Sequence, residues 1–168
     1  MKTVVAWIKR RISRIRHEFP RLWKHYLYQS ALATVIVFII LVALTLEHAI
    51  VVASIGATVF IVFTMPKNTT AKPRRFIGGH IIGLIAGSAC AAIPHEGIIL
   101  SAIVYALAVG LAIWAMVALD FEHPPAAGTA LGVAITGFSW GVMGAVITST
   151  IILALAHIFC KKYLRDLT

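Results

Sequence analysis

Four stretches of the chain contain no Lys, Arg, Asp or Glu: Ala31–Leu46, Ala49–Met65, Phe76–Ile93 and Gly97–Leu119. Each is about long enough, at about 1.5 Å per helical residue, to cross a hydrocarbon core about 30 Å thick. A fifth charge-free stretch, Ala126–Cys160, is too long for one crossing. The apolar residues come in long runs and not in short periodic stripes. The chain is 60% hydrophobic, where a soluble domain is about half apolar. The sequence therefore predicts an all-α, polytopic transmembrane bundle. The first apolar run is short and set among basic residues, unlike a secretory signal.

The net charge of +9 raises the question of nucleic acid. Its distribution points to a membrane instead. Lys2, Lys9, Arg10, Arg11, Arg14, Arg16, Arg21 and Lys24 precede the first span. Lys67, Lys72, Arg74 and Arg75 lie between the second and third, and Lys161, Lys162 and Arg165 close the chain. The linkers Glu47-His48 and Pro94-His95-Glu96 carry no basic residue. Positive-inside bias places the N-terminus, the Pro66–Arg75 loop and the C-terminus in the cytoplasm or its organellar equivalent.

Residues 1–28 read as a separate basic, amphipathic helix. Val4, Ile8, Ile12, Ile15, Phe19 and Leu22 recur at helical spacing, with Trp7 and Trp23 beside them. Such a helix lies in the interface of an anionic leaflet, and Pro20 is expected to bend or end it. Residues 29–164 form the membrane domain, and 165–168 a tail. Six crossings satisfy the charge rule throughout: Gln29–Leu46, His48–Met65, Phe76–Ile93, Gly97–Leu119, a short Pro124–Phe138 and Ser139–Cys160. The fifth spans only about 22 Å, which predicts a short or broken helix with one end buried in protein.

"SIGATVFIVF" (Ser54–Phe63) resembles "PAAGTALGVAI" (Pro125–Ile135), a hint of two three-helix halves related by inversion. Gly79, Gly83 and Gly87 fall every fourth residue on one face, where small side chains let helix backbones approach. That face can serve another helix of the same chain or a second copy. Cys90 and Cys160 lie within or at the end of apolar runs and read as small packing residues.

The segment "EHPPAAGTA" (Glu122–Ala130) interrupts the apolar pattern. Pro124 and Pro125 suit a first helical turn, whose N–H groups have no intrahelical partner. His123 then stands near the N-cap. The amides of Ala126 and Ala127, left uncrowded by the alanines and Gly128, are expected to face out as an anion site. Ser54, Gly56, Ala57 and Thr58 are read as a second such helix head. The plainer reading is that these small residues only pack helices. His80 lies inside an apolar run, where an ionisable group is a functional candidate. Asp120 and Glu122 oppose an anion, so they must pair with cations such as Arg74 or Arg75, or take up a proton. No metal-ligand spacing and no catalytic motif is present, so neither a metal, a cofactor nor an enzyme activity is expected.

These residues carry a family resemblance. "EHPPAAGTALGVAI" resembles the defining stretch of the HPP family of small integral membrane proteins, named for its His-Pro-Pro. "ASIGATVFIVFTMPKNTTAKPRRFIGGHIIGLIAG" (Ala53–Gly87) is similar to a second signature of the family: a Gly-Ala-Ser/Thr helix, a Pro-Arg loop and Gly-Gly-His. The resemblance covers about residues 29 to 164. It falls on His123, Pro124, Pro125, Gly128 and Thr129, and on Gly56, Ala57, Thr58, Pro73, Arg74, Gly78, Gly79 and His80. The family is usually assigned four spans, fewer than the six counted here. It implies a membrane transport protein, some members being nitrite transporters.

The function expected is thus a transporter or channel for a small monovalent anion, nitrite first, in a homo-oligomer. A non-transporting membrane scaffold is the alternative. So is a proton or cation pathway through Asp120, Glu122 and the histidines.

Overall fold

A computed structural model describes residues 2–44 and 49–167. Six α-helices and two short 3-10 turns form the described chain: α1 (Lys2–Leu44), α2 (Ala49–Thr64), α3 (Pro73–Ala91), α4 (Ile98–Ala118), α5 (Pro125–Thr136) and α6 (Trp140–Cys160), with the turns at Thr69–Ala71 and Lys161–Tyr163. No strand occurs among the described residues. The molecule is an all-α bundle. Three segments are long and apolar enough to cross a membrane, Arg16–Val42, Ile98–Ala118 and Trp140–Tyr163, and Ala53–Thr64 and Pro125–Thr136 are shorter apolar helices.

The direction of each helix follows from what meets at one end. The α2–α3 loop carries Thr70, whose carbonyl meets His123 just before α5. Arg74, in the first turn of α3, meets Asp120 just after α4. Lys67 and Lys72 of the loop line a cavity with His157, in the last turn of α6, and Lys161, just after it. Gln29 of α1 bonds Phe63, near the end of α2, and Arg165, beyond α6. Thus α2, α4 and α6 finish at this basic end, and α3 and α5 start there. The six helices alternate in direction, and the chain beyond α6 returns to the end where Gln29 stands.

Helix α1 corrects one expectation. It runs unbroken through Pro20, which does not end it, so the boundary read at residue 28 falls inside a helix. Its 43 residues reach about 65 Å, about twice the hydrocarbon thickness. Part of it must stand outside the apolar layer. The side chains of Val4, Trp7, Ile8, Ile12 and Ile15 lie outside the described residues, as do Glu47-His48 and the last residues of the first predicted span. The stretch read as a tail is docked: the Leu167 amide donates to Thr64 O at 2.8 Å. The Arg165 amide donates to Gln29 Oε1 at 3.2 Å.

The core has two textures. Ile40, Ile55, Val59, Val62, Phe63, Val146 and Leu153 form a bulky apolar cluster among α1, α2 and α6. Ala86, Ala112, Met116, Ala126 and Ala130 form a cluster of mostly small side chains among α3, α4 and α5. The glycine face explains the second. A methyl group at Gly87 would stand 2.5 Å from Ala130 O, and one at Gly79 would stand 2.8 Å from His123 Cβ. A methyl group at Gly83 would run into Ala126 O. The Gly79–Gly83–Gly87 face therefore meets α5 of the same chain at backbone contact. Lipid supplies no apolar driving force between helices, so close backbone packing takes its place.

Helix α5 has 12 residues, about 18 Å at the usual rise. Gly137, at φ 80°, ends it. It is the shortest of the six helices, wedged against α2, α3 and α4, and it brings the His-Pro-Pro segment into the bundle.

A buried hydroxyl and imidazole chain at the seam of the bundle

The polar site lies among α2, α3 and the start of α5. Ser54 and Thr58 are one turn apart on α2, His80 is on α3, His123 precedes α5 and Thr129 is on its second turn. Thr58, His80, His123 and Thr129 have no exposed surface, and Ser54 has 6%. His80 lies seven residues into α3, about 10 Å from the basic end.

These side chains form one hydrogen-bonded chain. Ser54 Oγ lies 2.7 Å from Thr129 Oγ1. Thr129 Oγ1 lies 2.7 Å from His80 Nδ1. His80 Nε2 and His123 Nε2 each lie 2.8 Å from Thr58 Oγ1. His123 Nδ1 lies 3.0 Å from Thr70 O. The imidazole rings are 5.3 Å apart, centroid to centroid, with Phe76 packed 5.9 Å from the His123 ring.

The last link sets the protons in the rest. A carbonyl can only accept, so His123 Nδ1 carries the proton. In a neutral ring Nε2 is then an acceptor, and the Thr58 hydroxyl donates to it. Thr58 Oγ1 in turn accepts from His80 Nε2–H. His80 Nδ1 accepts from Thr129, and Thr129 from Ser54. Thr58 has one competing acceptor, Ser54 O at 3.2 Å. Donating there would leave the buried His123 Nε2 facing a lone pair, at a cost of about 1–3 kcal/mol. The complete chain wins, and every proton in it points from Ser54 towards Thr70.

The acids stand beside this chain and outside it. Arg74 Nη2 donates to Asp120 Oδ2 at 2.6 Å and to Asp120 O at 3.1 Å. Arg75 pairs with both Asp120 and Glu122. Two arginines and two acids leave the cluster without net charge. Asp120 sits at φ 60°, a left-handed position that Asp tolerates better than most residues. The tight α4–α5 turn thus brings both carboxylates onto the arginines.

Several residues expected in an anion site stand elsewhere. The amides of Ala126 and Ala127 are not free: they donate to His123 O at 2.9 Å and to Pro124 O at 3.1 Å. Ala126 is fully buried against α3. Ser54–Thr58 is no helix head, because α2 begins at Ala49 and their backbone lies inside it. Gly56 is exposed on the face away from Ser54 and Thr58, with open space about it. Gly128 packs against Ser54 Cβ. Pro124 is the N-cap of α5 and Pro125 its first residue, with His123 directly before the cap. The side chains of Ser54, Thr58, His80, His123 and Thr129 do come together, through hydroxyls and imidazoles and not through amides.

A cavity of 260 Å³ abuts His123. Ile113, Met116, Val117, Pro124 and Ala127 line it, and Glu122 and His123 are its polar residues. The sequence reading had missed the carbonyl of Thr70 as a partner. Its signal was there: Asn68 caps the Thr69–Ala71 turn by accepting from the Thr70 amide, which aims the loop carbonyl at the site.

An antiparallel helical bundle with long apolar helices, one basic end and a buried polar seam is an integral membrane protein. The family model for the HPP transmembrane region matches residues 20–166. The chain belongs to the HPP family. It is also 34% identical over 98 residues to a transmembrane protein of Dictyostelium discoideum. That match covers 53% of this chain and 31% of the relative, so the chain spans about a third of the relative's length. No solved structure matches it.

Proposed function

We propose that the protein transports a small monovalent anion, nitrite first, together with a proton carried by the His80–Thr58–His123 chain. The observation behind this reading is the single hydroxyl that joins the two buried imidazoles. An excess proton on His80 Nδ1 makes that ring imidazolium. The His80 Nε2–H bond then breaks as Thr58 Oγ1 gains that proton and gives its own to His123 Nε2. The charge has moved from His80 to His123 and every hydroxyl is restored.

The apolar cavity at His123 supports coupling of the two species. A bare anion in an apolar cavity costs far more than a neutral one. Imidazolium at the cavity wall, or a proton passed to the anion, removes that cost. The basic end faces the cytoplasm in this reading, by the charge rule. The small bundle acts as a homo-oligomer. Asp120 and Glu122 serve as partners of Arg74 and Arg75 and not as ion-pathway groups.

The test uses the purified full chain in proteoliposomes, with nitrite, nitrate, formate and chloride offered under an imposed proton gradient. The expected result is nitrite movement that follows the gradient and acidification of the receiving side. Absence of movement for all four anions sinks the proposal. Proton flux that persists without any anion replaces it with a proton pathway.

A further inference from the structure

A second polar region lies at the basic end, away from the histidine pair. Between the α2–α3 loop and the last turn of α6 is a cavity of 470 Å³. Lys67, Lys72 and Lys161 line it, with Asn68 and His157. His157 is 2% exposed, and its Nδ1 is buried with no hydrogen-bond partner. Buried polar atoms are nearly always satisfied, so an orphan at a cavity wall points to a missing ligand. Asp166 is not part of the lining, and its Oδ1 accepts from the Lys67 backbone amide at 3.2 Å.

Size and surroundings narrow the ligand. The cavity falls within the range of about 300–1,000 Å³ usual for organic ligands, much larger than a bare inorganic ion needs. Three ammonium groups call for an anion. Ile158 also lines the cavity. Ile151, Leu155 and Ile158 continue from it along one exposed face of α6, at 48%, 50% and 61% exposure. A charged recess that opens onto an apolar helix face fits an amphiphile whose head is anionic and whose tails lie along the helix. Basic recesses between membrane helices recognise anionic headgroups in this way.

We propose that this cavity binds the phosphate of an anionic phospholipid. Lys67, Lys72 and Lys161 supply the charge and His157 Nδ1–H donates to a phosphate oxygen. The acyl chains cover Ile158, Leu155 and Ile151. Free phosphate shares the head chemistry but leaves the apolar face uncovered. The site is independent of the histidine pair and of any transported anion.

Native mass spectrometry of the full chain in an uncharged detergent tests it. The probes are phosphatidylglycerol, phosphatidylcholine with the same chains, and inorganic phosphate at matched ionic strength. The native protein should retain phosphatidylglycerol over phosphatidylcholine. The Lys72→Gln/Lys161→Gln variant should bind it about thirtyfold more weakly. Lys162→Gln removes the same kind of charge outside the cavity and should leave binding unchanged. Should the double variant fail to fold, Lys161→Gln alone, at an exposed position, should still weaken binding severalfold. Equal retention of phosphatidylglycerol by the lysine variants overturns the site. Binding of inorganic phosphate with no preference between the two lipids assigns the cavity to a soluble anion and overturns the lipid.

Discussion

His80 on α3 and His123 just before α5 hold their rings 5.3 Å apart and share the Thr58 hydroxyl between their Nε2 atoms. That one oxygen accepts from one ring and donates to the other. Thr58→Val keeps the shape and removes the bridge. It leaves two buried ring nitrogens without a partner, at about 1–3 kcal/mol for each. Thermal unfolding in detergent should show a clear loss of stability, and proteoliposomes should show loss of proton-linked flux. Thr58→Ser keeps the hydroxyl and should retain both. Equal behaviour of the two variants would remove the hydroxyl from the mechanism.

Glycine substitutions should separate the packed face of α3 from the open face of α2. At Gly83 a methyl group meets the backbone oxygen of Ala126, which cannot rotate away. Gly83→Ala should force α3 and α5 apart and destabilise by about 1–3 kcal/mol. At Gly56 nothing lies within 4 Å. Gly56→Ala should be neutral or stabilise by up to about 1 kcal/mol through helix propensity. Unfolding midpoints of the two variants, compared with the native protein, check both signs.

The helices were legible because charge stops where hydrocarbon starts. Pro73 and Arg74 mark the start of α3, and Ser139 caps α6 through the Val142 amide. The site was half legible. His80 stood out as an ionisable residue in an apolar run, and His123 as part of a helix start. Their meeting was not legible, since it depends on Thr58 lying across from both. Gly56 misled: a glycine beside a threonine imitates a helix head, whereas α2 had begun at Ala49. Two prolines likewise imitate a helix end with open amides. Bonds from Ala126 and Ala127 to the carbonyls three residues back close that turn. Gln29 and His157 carried no local signal, because their roles lie in distant partners.

The two arginines should differ in their importance. The Arg74 and Asp120 side chains are 63% and 61% exposed, whereas Arg75 is 19% exposed and reaches two acids. An exposed pair is worth about 0–1 kcal/mol, so Arg74→Gln should change stability little. Arg75→Gln leaves Glu122 and Asp120 facing each other with one cation fewer and should cost more. Exchanging Arg75 and Glu122 should recover part of that loss, and a double-mutant cycle in detergent measures the coupling.

Gln29 should control the end of the chain. Its Nε2 donates to Phe63 O and to Arg165 O, the latter at 2.9 Å, and its Oε1 accepts from the Arg165 amide. One buried amide thus fastens α1 to the end of α2 and to the segment after α6. Leucine at this position has similar size and none of these bonds. Gln29→Leu should strand the Phe63 carbonyl and release residues 164–167. Hydrogen exchange at the Arg165 and Leu167 amides should rise severalfold while exchange in α3 and α5 stays unchanged. The same release should loosen the Thr64–Lys67 corner, since the Leu167 and Lys67 amides bond across it to Thr64 O and Asp166 Oδ1. Unchanged exchange at Arg165 would mean that the docked segment is held by Leu164 packing and not by the amide of Gln29.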